Sequence, residues 1–227
     1  SRCAVLFSAG RGRVMKILVT GFDPFGGEEV NPAIETVKRL PDTIGGAKII
    51  KLEIPTVCHQ SLRVIDEAIA GYDPDVVLSV GQAGGRPDIT VERVGINVDD
   101  CRIPDNAGNQ IVDEPIYADG PAAYFVTVPI KAMVQRIRER NIPASVSNTA
   151  GTFVCNHVTY GVCHLLAVKY PGKRSGFIHI PFLPQQAVDK KNMPSMSQDM
   201  MVEAITAAIE AVVDTEKDIK VTGGATH

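Results

Sequence analysis

The sequence predicts an α/β protein, a single three-layer domain built on a sheet that contains parallel strands. Three observations predict it. Short β-branched runs alternate with helix-spaced segments from residue 16 to residue 82, the pattern of strands joined by crossover helices. With 227 residues, 44% hydrophobic and 22% charged, the chain can bury one sizeable core. No internal repeat, low-complexity tract or linker divides it.

Taken in order, KILVTGF (16–22) is a buried-strand run ending near glycine. NPAIETVKRLP follows as a helix, with Asn31 as cap, Pro32 at the first helical position and Pro41 as its stop. GAKIIKLEIP is a second strand. HQSLRVIDEAIAGY is a helix with Leu62, Ile65 and Ile69 on one face, ending at Gly71. DVVLSVGQ is a third strand, and DITVERVGINV (88–98) alternates well enough to be one more. Residues 99–121 form a long polar loop, a length that usually signals function or an interface. Then come a helix (VPIKAMVQRIRERN), a strand (ASVSN), a helix (VCNHVTYGVCHLLAVKY), a strand (GFIHIPFL) and a last helix capped by Ser197.

A net charge of −3 without a dense basic cluster leaves no electrostatic footprint for nucleic acid or an anionic membrane, so the expected partner is a small molecule or peptide. No apolar run approaches the ~18 residues of a spanning helix. The cysteines, Cys3, Cys58, Cys101, Cys155 and Cys163, are odd in number and scattered, which fits a reducing cytoplasm. Residues 1–14 are read as a leader before Met15, 15–215 as the domain, and 216–227 as a C-terminal tail whose end, GGATH, is expected to be disordered.

The segment ASVSNTAGTFVCNH takes a strand through a glycine turn into a helix whose first residues include Cys155. The positive end of a helix macrodipole favours a thiolate there, partly ionised near neutral pH; the bland alternative is a small buried hydrophobe. Cys163 lies about 12 Å further along the helix and reads as core. His157 points about 200° round the helix from Cys155, a poor base for that thiol. His164 reads as structural or exposed. The cysteine and histidine spacings match no usual zinc pattern. A base for Cys155 must come from elsewhere. In GFIHIPF, alternation puts Phe177 and His179 on one face of a strand and Ile178 and Ile180 on the other, with His179 near the strand's carboxyl end. Glu92 in TVER could orient an imidazole, or could be an exposed strand residue paired with Arg93.

Four motifs, GFDPFGG (21–27), GQAGGRPDITVERVGINVDDCRIPDNAGNQ (81–110), SNTAGTFVCNHVTYG (147–161) and SGFIHIPFLPQQ (175–186), together resemble the pyroglutamyl peptidase I family, also called pyrrolidone carboxyl peptidases. The resemblance runs from Met15 to the last helix. It implies an α/β/α sandwich with a mixed, twisted, largely parallel sheet, commonly a homotetramer. It also implies a cysteine peptidase that removes N-terminal pyroglutamate from peptides without a metal or organic cofactor. Matched motif by motif, Glu92, Cys155 and His179 fall on the family's catalytic positions. Phe22, Phe25, Ile103, Phe153 and Val154 would line the lactam, Gln82 would supply backbone polar contacts, and the region of Arg102 would help hold the oxyanion. Plain core packing is the alternative for each phenylalanine, and Asn31 is expected to brace the first turn. The chain departs from the family pattern in its leader and in Cys101. A nucleotide-binding module is the rival reading, since glycine-rich turns follow two strands, but neither G-x-G-x-x-G nor G-x-x-x-x-G-K-[ST] occurs. A purely structural protein is the third.

Overall fold

A computed structural model describes residues 12–224. Cys3, most of the proposed leader and the last three residues of GGATH lie outside them. The elements are β1 (Lys16–Phe22), α1 (Pro32–Lys38), β2 (Thr43–Ile44), β3 (Ala47–Ile54), α2 (Gln60–Tyr72), β4 (Val76–Gln82), β5 (Ile89–Glu92), β6 (Val94–Ile96), β7 (Ala123–Phe125), α3 (Ile130–Glu139), β8 (Ala144–Ser147), α4 (Val154–Val168), β9 (Arg174–Ile180), α5 (Pro184–Ala187) and α6 (Gln198–Asp214).

Seven strands form one sheet in the order β2-β3-β1-β4-β9-β5-β8. Its centre is parallel, from β3 through β1 and β4 to β9. β5 then runs against β9 while β8 runs with β5. The sheet is therefore mixed and largely parallel, as expected, and direction reverses between β9 and β5.

Alternation along the strands sorts the core into two layers. Ile17, Val19, Leu78, Val80, Val91, Ile178 and Ile180 pack with α1, α3 and α6 on one face. Leu18, Phe22, Val77 and Phe177 pack with α2 and α4 on the other. Because side chains two apart share a face, His179 and Glu92 both look toward α4, while their neighbours Val91, Ile178 and Ile180 fill the opposite core.

The local signals explain the element ends. Asn31 caps α1, its Oδ1 accepting from the Ala33 amide at 2.9 Å, and its Nδ2 also donates to the Asp23 carbonyl at 3.0 Å, so it braces the first turn. Ser197 caps α6, accepting from the Met200 amide. Gly71 does not end α2, which runs on to Tyr72 and stops at Asp73 in the left-handed region with φ 51°. The single strand expected over 88–98 is two strands in two sheets. At Arg93 the chain leaves β8 and turns to β7, its amide donating to the Ser147 carbonyl and its carbonyl accepting from the Val126 amide. β6 and β7 form their own antiparallel pair, for which period-two alternation supplies no distinguishing mark.

Residues 215–224 have no helix or strand, yet they are docked. Asp218 accepts from the Lys131 and Ala132 amides at 3.0 and 2.9 Å, serving α3 as a cap from a distant part of the chain, and the Gly223 carbonyl accepts from Arg93. Of GGATH, Gly223 thus contacts the body of the domain.

Helix α1 lies directly on β1 because Gly21 has no side chain. A Cβ there would stand 2.7 Å from Ile34 Cα and 2.8 Å from its nitrogen, both backbone atoms that cannot yield without moving the helix. Gly21→Ala is expected to cost about 1–3 kcal/mol through overpacking, read as a lowered urea midpoint; an unchanged midpoint would show that α1 can slide.

Candidate active site

Cys155 is the second residue of α4, reached from β8 by a turn through Gly151, whose φ is 77°. Phe153 precedes the helix in extended conformation without a side-chain cap, so the first-turn amides depend on partners outside the helix. The sulfur lies over β4 at Gly81, where a Cβ would stand 2.8 Å from Cys155 Sγ and 2.7 Å from Phe177 Cζ. Gly81 is in register with His179 on the neighbouring strand. The His179 ring in turn packs on Phe177 with centroids 4.8 Å apart. Thiol and imidazole therefore occupy the same face of adjacent strands, brought together from segments that sequence alone leaves 24 positions apart.

His179 Nδ1 lies 2.8 Å from Glu92 Oε1. Since the carboxylate can only accept, Nδ1 carries the proton and Nε2 keeps its lone pair. Glu92 is 0% exposed. Burial alone would push its carboxyl up, but the contacts with His179, Ser147 and Arg86 outweigh this and hold it below the usual range. Glu92 is thus neither exposed nor paired with Arg93, whose guanidinium goes to Asn148 and the Gly223 carbonyl. The cation on Glu92 is Arg86, at 2.7 Å. Nothing in the sequence marks Arg86 except its place in the turn GQAGGRPD, six residues before Glu92.

Burial pushes the Cys155 thiol up to about 12, the Glu92 carboxylate adds to this, and Arg86 opposes it. Burial lowers His179, Glu92 works against that change, and Arg86 adds to it. Both directions favour a neutral thiol and neutral imidazole at rest. Desolvation thus opposes the ionisation that the helix dipole favours.

The remaining site candidates divide. Phe25 and Phe153 are half-buried and face each other with centroids 6.1 Å apart, a pair of rings beside the sulfur-bearing helix start. Phe22 is 2% exposed and packs on Phe177, and the Val154 side chain lies in the same core layer. Gln82 accepts from Gln186 through its side chain at 2.9 Å. Arg102 and Ile103 are exposed on the loop that follows Asp99. That loop is tied to its neighbours: the Asn106 amide donates to the Thr56 carbonyl, and Asp23 Oδ1 accepts from the Thr56 amide, the Thr56 hydroxyl and Asn106 Nδ2. Hydrogen bonds thus join the three loops to one another.

The other residues of the helix have separate duties. Cys163 is buried, 3.5 Å from the Ser175 hydroxyl. His164 stacks on Tyr117 and pairs with the Tyr124 hydroxyl. His157 faces away from Cys155 toward Asp99, with Nδ1 2.9 Å from both carboxylate oxygens, while its Nε2 accepts from the His59 amide at 2.8 Å. Cys58, Asp99 and His157 bring possible ligand atoms within 4.8 Å of one another. Both ring nitrogens of His157 are already engaged, however. A cation on Nδ1 would require the proton to sit on Nε2, against the His59 N–H. The grouping is a buried brace between α4, the loop after β6 and the start of α2.

A family model described as pyroglutamyl peptidase matches residues 15–215. The chain belongs to the pyroglutamyl peptidase family. A pyrrolidone-carboxylate peptidase of Finegoldia magna is 65% identical over 213 residues, covering 94% of this chain and 100% of that protein. One from Treponema denticola is 64% identical, covering 92% and 99%. Among solved pyroglutamyl peptidases, pyroglutamyl peptidase I of Bacillus amyloliquefaciens superposes with TM-score 0.90 at 49% identity, covering 92% of this chain and all of that one. A variant of the pyrrolidone carboxyl peptidase from the hyperthermophile Pyrococcus furiosus gives 0.85 at 43% identity. Membership of the pyroglutamyl peptidases makes the chain a hydrolase of the cysteine peptidase class.

Proposed function

We propose that the chain hydrolyses the bond after an N-terminal pyroglutamyl residue of peptides, with Cys155 as nucleophile, His179 as base and Glu92 as the group that orients His179. The observation that carries this reading is the Glu92–His179 bond of 2.8 Å on the strand pair over which the Cys155 sulfur lies. His179 Nε2 takes the thiol proton as sulfur attacks the carbonyl carbon, and Glu92 stabilises the imidazolium so formed. The carbonyl oxygen gains negative charge, and the Cys155 amide at the start of α4 is a donor for it, with Arg102 a second contributor. The imidazolium then protonates the leaving amine, giving an acyl-enzyme, and later withdraws a proton from the water that hydrolyses it. A lactam has no charged amine to anchor, so apolar walls suit it: Phe25, Phe153 and Ile103 at the rim, Phe22 and Val154 behind them, and Gln82 for polar contact.

No helix among the described residues is long and apolar enough to cross a membrane. The proposal includes cytoplasmic placement, supported by four free cysteines among the described residues, and a homotetramer. The latter is measured by light scattering against the 24.4 kDa chain.

Release of pyroglutamate from a pyroglutamyl anilide tests the reading. Iodoacetamide should abolish it by alkylating Cys155, and competing substrate should slow that loss; alkylation of Cys155 with full retention of activity would overturn it. Glu92→Gln is expected to lower kcat by roughly 10²-fold, since a neutral amide orients the ring but stabilises imidazolium poorly. A wild-type rate would remove Glu92 from the mechanism.

A further inference from the structure

Glu92 Oε1 accepts two bonds, from His179 Nδ1 at 2.8 Å and from Arg86 Nη1 at 2.7 Å. Nη1 also donates to the Thr90 hydroxyl at 2.8 Å, and Nη2 donates to the Thr149 carbonyl at 2.9 Å. Thr90 and Glu92 belong to β5, whereas Thr149 belongs to the turn that delivers Cys155 to the start of α4. One guanidinium therefore joins the strand that carries the carboxylate to the segment that carries the nucleophile. It lies no further from Nδ1 than two hydrogen-bond lengths, and it is itself only 30% exposed.

We infer that Arg86 is a positioning residue of this site: it clamps Glu92 onto His179, and its fixed charge sets the pH range over which the Cys155–His179 pair works. The inference rests on the triad reading above.

The planar fork suits the task. A cation with a single point of charge could meet Glu92 or the Thr149 carbonyl, but the guanidinium presents separate nitrogens to both and remains charged at every working pH. The ionisable groups facing His179 are few. β5 presents Glu92, the turn after β4 presents Arg86, α4 presents Cys155, and β4 presents Gly81, which has no side chain. Glu92 favours protonation of both Cys155 and His179, and Arg86 disfavours it for both, so the two act as opposing fixed charges on the pair. Removing the positive charge makes both members of the pair hold their protons more tightly. Both limbs of the pH–rate profile must then move in the same direction, toward alkaline pH.

The test is kcat/KM for a pyroglutamyl anilide against pH in wild type, Arg86→Gln and Arg86→Lys, with the pH dependence of Cys155 alkylation measured alongside. In Arg86→Gln both limbs should rise by about one unit, as expected for loss of a charge within a few ångströms, and the alkylation profile should move with them. In Arg86→Lys the charge survives but the fork does not: the limbs stay and kcat falls roughly 10- to 100-fold through misplacement. Limbs that do not move in a folded Arg86→Gln, or an Arg86→Lys with wild-type kcat, would overturn the inference; the second result decides it even if Arg86→Gln fails to fold. Activity surviving Cys155→Ala would instead sink the triad itself, so the two failures are distinguishable.

Discussion

Cys155→Ala is expected to retain the fold and to lose roughly 10⁴-fold or more of its pyroglutamyl anilide hydrolysis, because removing the nucleophile removes the covalent route itself. The sulfur lies at the start of α4 above Gly81, half-buried, and an alanine methyl fits the same space without strain. The unfolding midpoint should stay within a few degrees of wild type. His179→Ala should be about as damaging, since nucleophile and base act as a unit. Cys163→Ala is the control: its thiol meets the Ser175 hydroxyl in the core, and the variant should keep most of the activity. Full activity in Cys155→Ala would end the nucleophile assignment.

His157→Leu is expected to produce the largest loss of stability. Leucine preserves apolar volume at a fully buried position but leaves the Asp99 carboxylate, 1% exposed, without its imidazole partner, and the His59 amide without its acceptor. Leaving a buried carboxylate without the N–H that satisfies it costs about 3 kcal/mol or more. In a chain of this size that corresponds to a fall in the unfolding midpoint of about 10 °C or more. Asp99 also starts the loop that carries Arg102 and Ile103, so substrate affinity should weaken in whatever fraction remains folded. A midpoint within two or three degrees of wild type would mean that water replaces the ring, and that the brace is dispensable.

How much of this was legible in the residues themselves differs from element to element. Phe177 and His179 on one strand face, with Ile178 and Ile180 on the other, followed from alternation, and the structure divides them between the two core layers accordingly. Asn31 and Ser197 as caps followed from residue type and position. Cys155 at the start of a helix followed from a glycine turn between a strand and a helical pattern. The break of 88–98 at Arg93 did not follow, because both halves alternate and nothing in alternation names the partner strand. Nor did the capping of α3 by Asp218, an acceptor 87 positions from the Lys131 amide it serves. Arg86 and Arg93 flank Glu92 in sequence and are chemically alike, yet one binds it and the other binds Asn148.

The sequence by itself determined the α/β class, the faces of the strands and the place of Cys155 at a helix start. It could do so because periodicity and turn chemistry are properties of a few neighbouring residues. Only the tertiary structure decided which cation holds Glu92 and that β5 runs against β9. Those outcomes depend on strand register and on which side chains meet, which arise when distant segments pack and leave no local trace in the chain.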